Sequence, residues 1–218
     1  HKDGFETLAD LIGDVDLDLE RSILNGVRVF SGRARLTFTD GFARLDTLAL
    51  ETSAADVAAA GALGLAEGLS DTLRLRVRMD SLGGFRPLLD RPVGDSLAGS
   101  ALLDARLHGW VRDFAADVTT SAADLYFAGN RATVAQLDAA LVALPAAPGG
   151  SIALQGDTLT LANLGLQSLR AEATLAGREP AGVSLRALGQ SGTRLDFGGL
   201  LAFRDDSIAL LADSLTLR

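Results

Sequence analysis

The chain has no cysteine, five prolines, two histidines, one tryptophan and one tyrosine in 218 residues. Without cysteine there are no disulfides, thiol nucleophiles or thiolate metal sites. His1 sits at the terminus and His108 between Leu107 and Gly109, so no Ser-His-Asp or Cys-His arrangement can be assembled with any specificity. Aromatics make up only 5%, and Trp110, Tyr126 and the phenylalanines are too scattered to form a stacking platform. A net charge of -8 argues against a nucleic-acid partner, which needs a basic patch to displace phosphate counterions, and the one local basic face, Arg74, Arg76 and Arg78, reads as the solvated side of a strand. No apolar run approaches the ~20 residues of a membrane-spanning helix. The longest candidate, Val57 to Ala66, is rich in Ala and Gly and stops at Glu67. With no initiator Met and no signal peptide, the chain is expected to be a piece of a longer protein whose anchor lies outside it.

What is present is a period of two. In Asp14-Val15-Asp16-Leu17-Asp18-Leu19-Glu20 every odd residue is apolar and every even one acidic. Leu73-Arg74-Leu75-Arg76-Val77-Arg78-Met79-Asp80 repeats the pattern with arginines on the polar side. Both are strands with one wet and one dry face. Such segments continue to Leu215-Thr216-Leu217, and with 48% hydrophobic and 22% charged residues the composition is globular rather than disordered. The expected fold is all-β, mostly an antiparallel meander.

Punctuation supports the meander. Asp40-Gly41, between Ala34–Phe38 and Phe42–Leu45, is the strongest two-residue hairpin signal, because both central positions need positive φ. Further turns are expected at Gly129-Asn130, Gly156-Asp157 and Asp205-Asp206. Residues 1–13 lack the period and suit a short helix or a packed lead-in. Residues 14–218 then form one continuous unit. Its connection at about 81–97 holds a short helical turn over an end of the sheet, and Pro145 to Gly150 forms a plain loop. In Leu45-Asp46-Thr47-Leu48-Ala49-Leu50 the apolar positions move from odd to even, and in Leu164-Gly165-Leu166-Gln167-Ser168-Leu169 from even back to odd. A bulge at each would keep both halves facing one side, as a curved sheet requires.

The chemistry-bearing residues have plainer readings. Asp14, Asp16 and Asp18 resemble the start of a calcium loop, but the glycine and distal glutamate do not follow. Gly83-Gly84 and Gly198-Gly199 lack the lysine and helix of a phosphate loop. No catalytic residue, metal site or cofactor is expected, and the chain is not expected to be an enzyme. Dry faces that close on each other give a filled barrel, sandwich or solenoid with a structural or adhesive role. Dry faces that line an open curved sheet leave a ligand surface. The residues alone leave both open.

Asp80 to Arg218 resembles the long periplasmic β-domains of the TamB and AsmA-like family, grouped with bridge-like lipid transfer proteins. The matching stretches are Leu82-Gly83-Gly84-Phe85-Arg86-Pro87-Leu88-Leu89, Leu97 to Gly109, Ile152-Ala153-Leu154-Gln155-Gly156 and Leu185-Arg186-Ala187-Leu188-Gly189. The resemblance implies an elongated, U-shaped, β-taco-like sheet in the periplasm. Its apolar groove would carry phospholipid acyl chains between inner and outer membrane and support outer-membrane assembly. The full-length protein would have an inner-membrane anchor and an outer-membrane β-barrel partner. The candidate groove residues are the apolar sides of the clearest strands: Val15, Leu17, Leu19, Leu73, Leu75, Val77, Leu103, Leu107, Leu125, Phe127, Ile152, Leu154, Leu159, Leu161, Leu185, Leu195 and Phe197.

Overall fold

The computed structural model describes residues 10–88, 97–161, 164–177, 179–204 and 207–218. It contains β1 (Gly13–Leu19), β2 (Ser22–Leu24), β3 (Val27–Thr39), β4 (Phe42–Thr52), β5 (Asp56–Gly64) and β6 (Asp71–Met79). A 3-10 helix (Leu82–Leu88) leads to β7 (Leu97–Trp110), β8 (Asp113–Phe127), β9 (Asn130–Leu144) and β10 (Gly149–Leu161). The chain finishes with β11 (Leu164–Ala176), β12 (Ala181–Gly189), β13 (Arg194–Arg204) and β14 (Ser207–Leu217). All belong to one 14-stranded sheet whose order follows the sequence from β1 through β3 to β14, with the short β2 set beside β3. Each step along that path is antiparallel.

Local chemistry fixes the hairpins. Asp40 and Gly41 take φ 50 and 76°, and Asn25-Gly26 and Ala128-Gly129 adopt nearly the same pair of angles. Two positive φ values give a turn whose twist matches the strands, which glycine and short polar residues tolerate best. The third turn thus sits one residue before the expected Gly129-Asn130. Gly156-Asp157 is not a turn at all, because β10 runs through it unbroken. The expected turn at Asp205-Asp206 and the lead-in over residues 1–9 lie outside the described residues; β1 already begins at Gly13. The helical turn in the 81–97 connection is the 3-10 helix, which packs against β3 and β7. A Cβ on Gly84 would overlap Ser53 and Ala54, so glycine lets the helix lie on the turn that ends β4.

The sheet is open. β1 and β14 are its two edges and do not pair with each other, which excludes a closed barrel. Among the described residues, contacts between elements run mainly from each strand to its ladder neighbours, and apart from the 3-10 helix no second layer lies on the sheet. The accessible surface is 14195 Å², against about 9,500 Å² for a compact monomer of this mass. Among the described residues the buried apolar positions are mostly alanines, and no large side chain is fully buried. The sandwich alternative fails for the same reason: there is no interior between two sheets.

Candidate functional site

The ladder registers show which residues share a face, since directly paired positions point the same way. One row crosses all thirteen strands of the path: Leu17, Ala34, Leu48, Ala59, Leu75, Ala105, Val118, Ala139, Ile152, Ala173, Val183, Gly199 and Ala212. It contains no polar side chain. Large and small residues alternate from Leu17 through Gly199, so each branched side chain has a methyl or a hydrogen on either side.

A second row runs Leu19, Gly32, Leu50, Val57, Val77, Leu103, Thr120, Leu137, Leu154, Ala171, Leu185, Phe197, Leu215, with one hydroxyl in thirteen positions. A third follows Val15, Leu36, Leu45, Gly61, Leu73, Leu107, Ala116, Leu141, Gly150 and Leu175. None of the three rows carries a charge.

All seventeen candidate residues fall on this face. Twelve lie in the three rows. Leu195 stands in a fourth with Met79, Ala122, Leu169 and Ala187, and Leu125, Phe127, Leu159 and Leu161 lie beyond a seam described below. The expectation missed Leu36, Leu48, Leu137, Leu141, Leu169 and Leu215, which occupy the same rows. Their strands alternate with Ala, Gly or Thr, so they show as a period of two only once the bulges are placed.

The two faces differ in exposure. In interior strands Leu73, Leu75, Val77, Leu103 and Leu107 are half-buried, whereas Arg74, Arg76, Arg78, Arg106 and His108 on the opposite face are exposed. The apolar face is the more sheltered of the two, as the inner side of a curved sheet would be. At the edges that shelter is halved, and Leu17 is 50% and Leu215 68% exposed.

Curvature is built from bulges. Thr47 pairs with Arg35 and Leu45 with Leu36, so β4 gains one residue there and Leu45 and Leu48 share a face. The expected shift in β11 is likewise present, between Leu166 and Ser168. It belongs to a longer feature: the ladders place Asp124, Thr133, Thr158 and Gln167 in line across four strands, and pairing lapses at each. Asp124 and Thr158 take φ 51 and 50°, and Gly99, at φ 116°, lies against the backbone of Asp124 on β7. On β10 the apolar side is even through Gly156 and odd from Leu159. The seam crosses these four strands in line, and the apolar pattern resumes beyond it at Leu125, Ala132, Leu159 and Leu166.

A threonine at φ 50° is strained by about 1–3 kcal/mol, because its branched Cβ crowds the backbone. Thr158→Gly is therefore expected to stabilise the protein by about 1 kcal/mol after the unfolded-state entropy of glycine is subtracted. Chemical denaturation reads this directly, and a loss of stability would mean the Thr158 side chain has a binding role in the seam.

The outer face is a lattice of charges. Arg35 donates to Asp16 at 2.7 Å, Arg33 to Asp18 at 2.9 Å and Arg76 to Asp104 at 2.7 Å, each across a ladder. These hydrogen bonds, with the accompanying charge attraction, hold the three guanidinium groups above their ordinary pKa. A hollow of about 800 Å³ on this face has an alanine floor at Ala58 and Ala60 and walls of both signs at Arg74, Arg76, Asp104 and Arg106. No group of three or more metal-binding side chains occurs among the described residues. No family model, curated protein or solved structure matches the chain.

Proposed function

We propose that this chain is a segment of a lipid conduit, in which acyl chains lie along the inner face and polar headgroups stay at the open rim. The observation that carries this reading is the set of apolar, charge-free rows, two of which cross all thirteen strands of the path, with no second sheet among the described residues laid over them. A soluble monomer rarely leaves more than a few hundred Å² of contiguous apolar surface uncovered unless it binds something. Here the surface is continuous over twelve strand spacings, about 58 Å at about 4.8 Å each. That is roughly four times the hydrocarbon depth of one leaflet, about 15 Å, so several lipids fit in file.

The energetics suit transfer rather than storage. Two acyl chains of about 16 carbons each face about 25 kcal/mol in water, at about 0.8 kcal/mol per CH2. An aliphatic trough removes much of that barrier without offering a deep well, since a bilayer solvates the same chains as well as Leu and Ala do. Movement along uniform apolar rows requires no nucleophile, metal or nucleotide. The resemblance to TamB and AsmA-like proteins supports placing the conduit in the periplasm between inner and outer membrane, with phospholipid as cargo. It also supports an anchor and a β-barrel partner contributed by other parts of the full-length protein. A structural or adhesive domain with a closed core is harder to reconcile with an uncovered face.

Native mass spectrometry of protein expressed in a Gram-negative host, followed by lipid extraction, tests this. Co-purifying phospholipid is expected. Folded protein that carries none and takes up no labelled phospholipid from vesicles would sink the proposal.

A further inference from the structure

The outer-face charges of β10 to β13 are loosely matched, and they surround a hollow. We propose that this hollow binds a phosphorylated saccharide, held by arginines through its phosphate and by amide, hydroxyl and carboxylate groups through its sugar hydroxyls. The site lies on the face opposite the apolar rows and does not rest on the lipid reading.

Two ladder rows build it. Gln155, Arg170, Arg186 and Asp196 stand directly opposite one another across the four strands. Two residues along each strand, Asp157, Ser168, Leu188 and Arg194 do the same. Both rows border a hollow of about 570 Å³, within the range of small-molecule sites. Gln155 and Arg170 are the central residues of β10 and β11. The hollow is thus roughly 20 Å from either end of those strands, away from both rims.

Arg170 and Arg186 carry the argument. Like charges directly opposite in a ladder repel, so this pair needs negative charge close by. Arg33, Arg35, Arg76 and Arg78 each donate to an aspartate at 2.7 to 2.9 Å. Glu172 and Asp196, by contrast, stand 3.7 Å from Arg170 and Arg186, beyond hydrogen-bond reach. Among the described residues no hydrogen bond uses the guanidinium of Arg170, Arg186 or Arg194, the amide of Gln155 or the hydroxyl of Ser168. Five donor side chains around one hollow are therefore uncommitted.

A phosphomonoester answers this set. Its charge of nearly two offsets the opposed guanidinium groups, and its three terminal oxygens accept from forked donors. The hollow is many times larger than one phosphate, so a second part of the ligand shares it. Asp157 and Asp196 repel a bare anion but accept hydrogen bonds from hydroxyls, and Gln155 and Ser168 both donate and accept. A sugar ring bearing the phosphate supplies those hydroxyls.

NMR of the arginine Nε–Hε groups reads the site directly. Glucose 6-phosphate is expected to shift Arg170, Arg186 and Arg194 with half-saturation at about 1 mM, a weak affinity suited to a solvent-open site. It should bind at least about threefold tighter than inorganic phosphate, and glucose alone should shift none of the three. Arg170→Gln with Arg186→Gln removes two opposed charges from exposed positions, so the fold should hold while binding weakens at least about tenfold. Arg194→Gln serves if that variant unfolds, and Arg33→Gln should leave binding unchanged. Asp157→Asn should narrow the gap between glucose 6-phosphate and phosphate. The other opposed pair, Arg74 and Arg106, is an internal control for indiscriminate attraction of anions. No shift at about 20 mM ligand, equal shifts at Arg74 and Arg106, or phosphate bound as tightly as the sugar phosphate would each overturn the proposal. So would binding to vesicles that carry phosphatidylinositol phosphate without binding to glucose 6-phosphate.

Discussion

Aspartate at Leu75, Leu107 and Leu154 is expected to empty the trough of lipid while the sheet remains folded. The three residues stand one in each of the three apolar rows, on β6, β7 and β10, so together they interrupt all three. An acyl chain passing them would bury carboxylates that have no partner on this face. At about 1–3 kcal/mol for each unpartnered polar group, three should weaken phospholipid uptake at least a hundredfold. The fold should tolerate the change, because Leu75 and Leu107 are only half-buried and Leu154 is exposed. Labelled phospholipid uptake, read beside circular dichroism and a thermal melt, gives the result. If the triple variant loosens the sheet, Leu154→Asp alone serves. A folded variant that loads lipid like the parent would place the lipid elsewhere.

The second large effect lies in the backbone. Gly61 and Gly150 take φ 128 and 120°, and a Cβ on either would overlap the carbonyl oxygen of a ladder neighbour, Thr72 or Ala140. Both lie in the apolar row that contains Leu73 and Leu107, where the neighbouring strand leaves no room for a Cβ. Alanine at either must push two strands apart as well as strain its own φ, for a loss of about 3 kcal/mol. Gly182, whose Cβ would enter open space, provides the control, with a change within about 0.5 kcal/mol. Urea melts that rank Gly61→Ala with Gly182→Ala would show that the close approach is not needed for the curve.

Much of this was legible in the sequence, for a local reason. A period of two needs only a residue and its second neighbour, so the inward sides of β1 and β6 could be read directly. Asp40-Gly41 announced its own turn because few dipeptides accept two positive φ values. The phase slips at Leu45–Leu50 and Leu164–Leu169 likewise marked real bulges. Gly156-Asp157 misled because its glycine sits beside a strand irregularity, not a turn: the neighbour that bends is Thr158, which no propensity would nominate for φ 50°. The seam was illegible for a different reason. Asp124, Thr133, Thr158 and Gln167 are polar like many outer-face positions, share no turn signal, and line up only after three ladder registers are set. Nor could alternation reveal whether the dry face was covered, since the pattern is the same in a sandwich and in an open trough.

Because strands pack mainly on their ladder neighbours, the molecule is close to a one-dimensional object. Its free energy is nearly a sum of neighbour terms, as in a solenoid. Folding can begin at any hairpin and spread by adding one strand at a time, with little chain to close at each step. Length then becomes a freely adjustable property: inserting or deleting a hairpin changes how far the trough reaches without redesigning a shared interior. A two-layer domain has no such freedom, because every strand there helps to fill one common core.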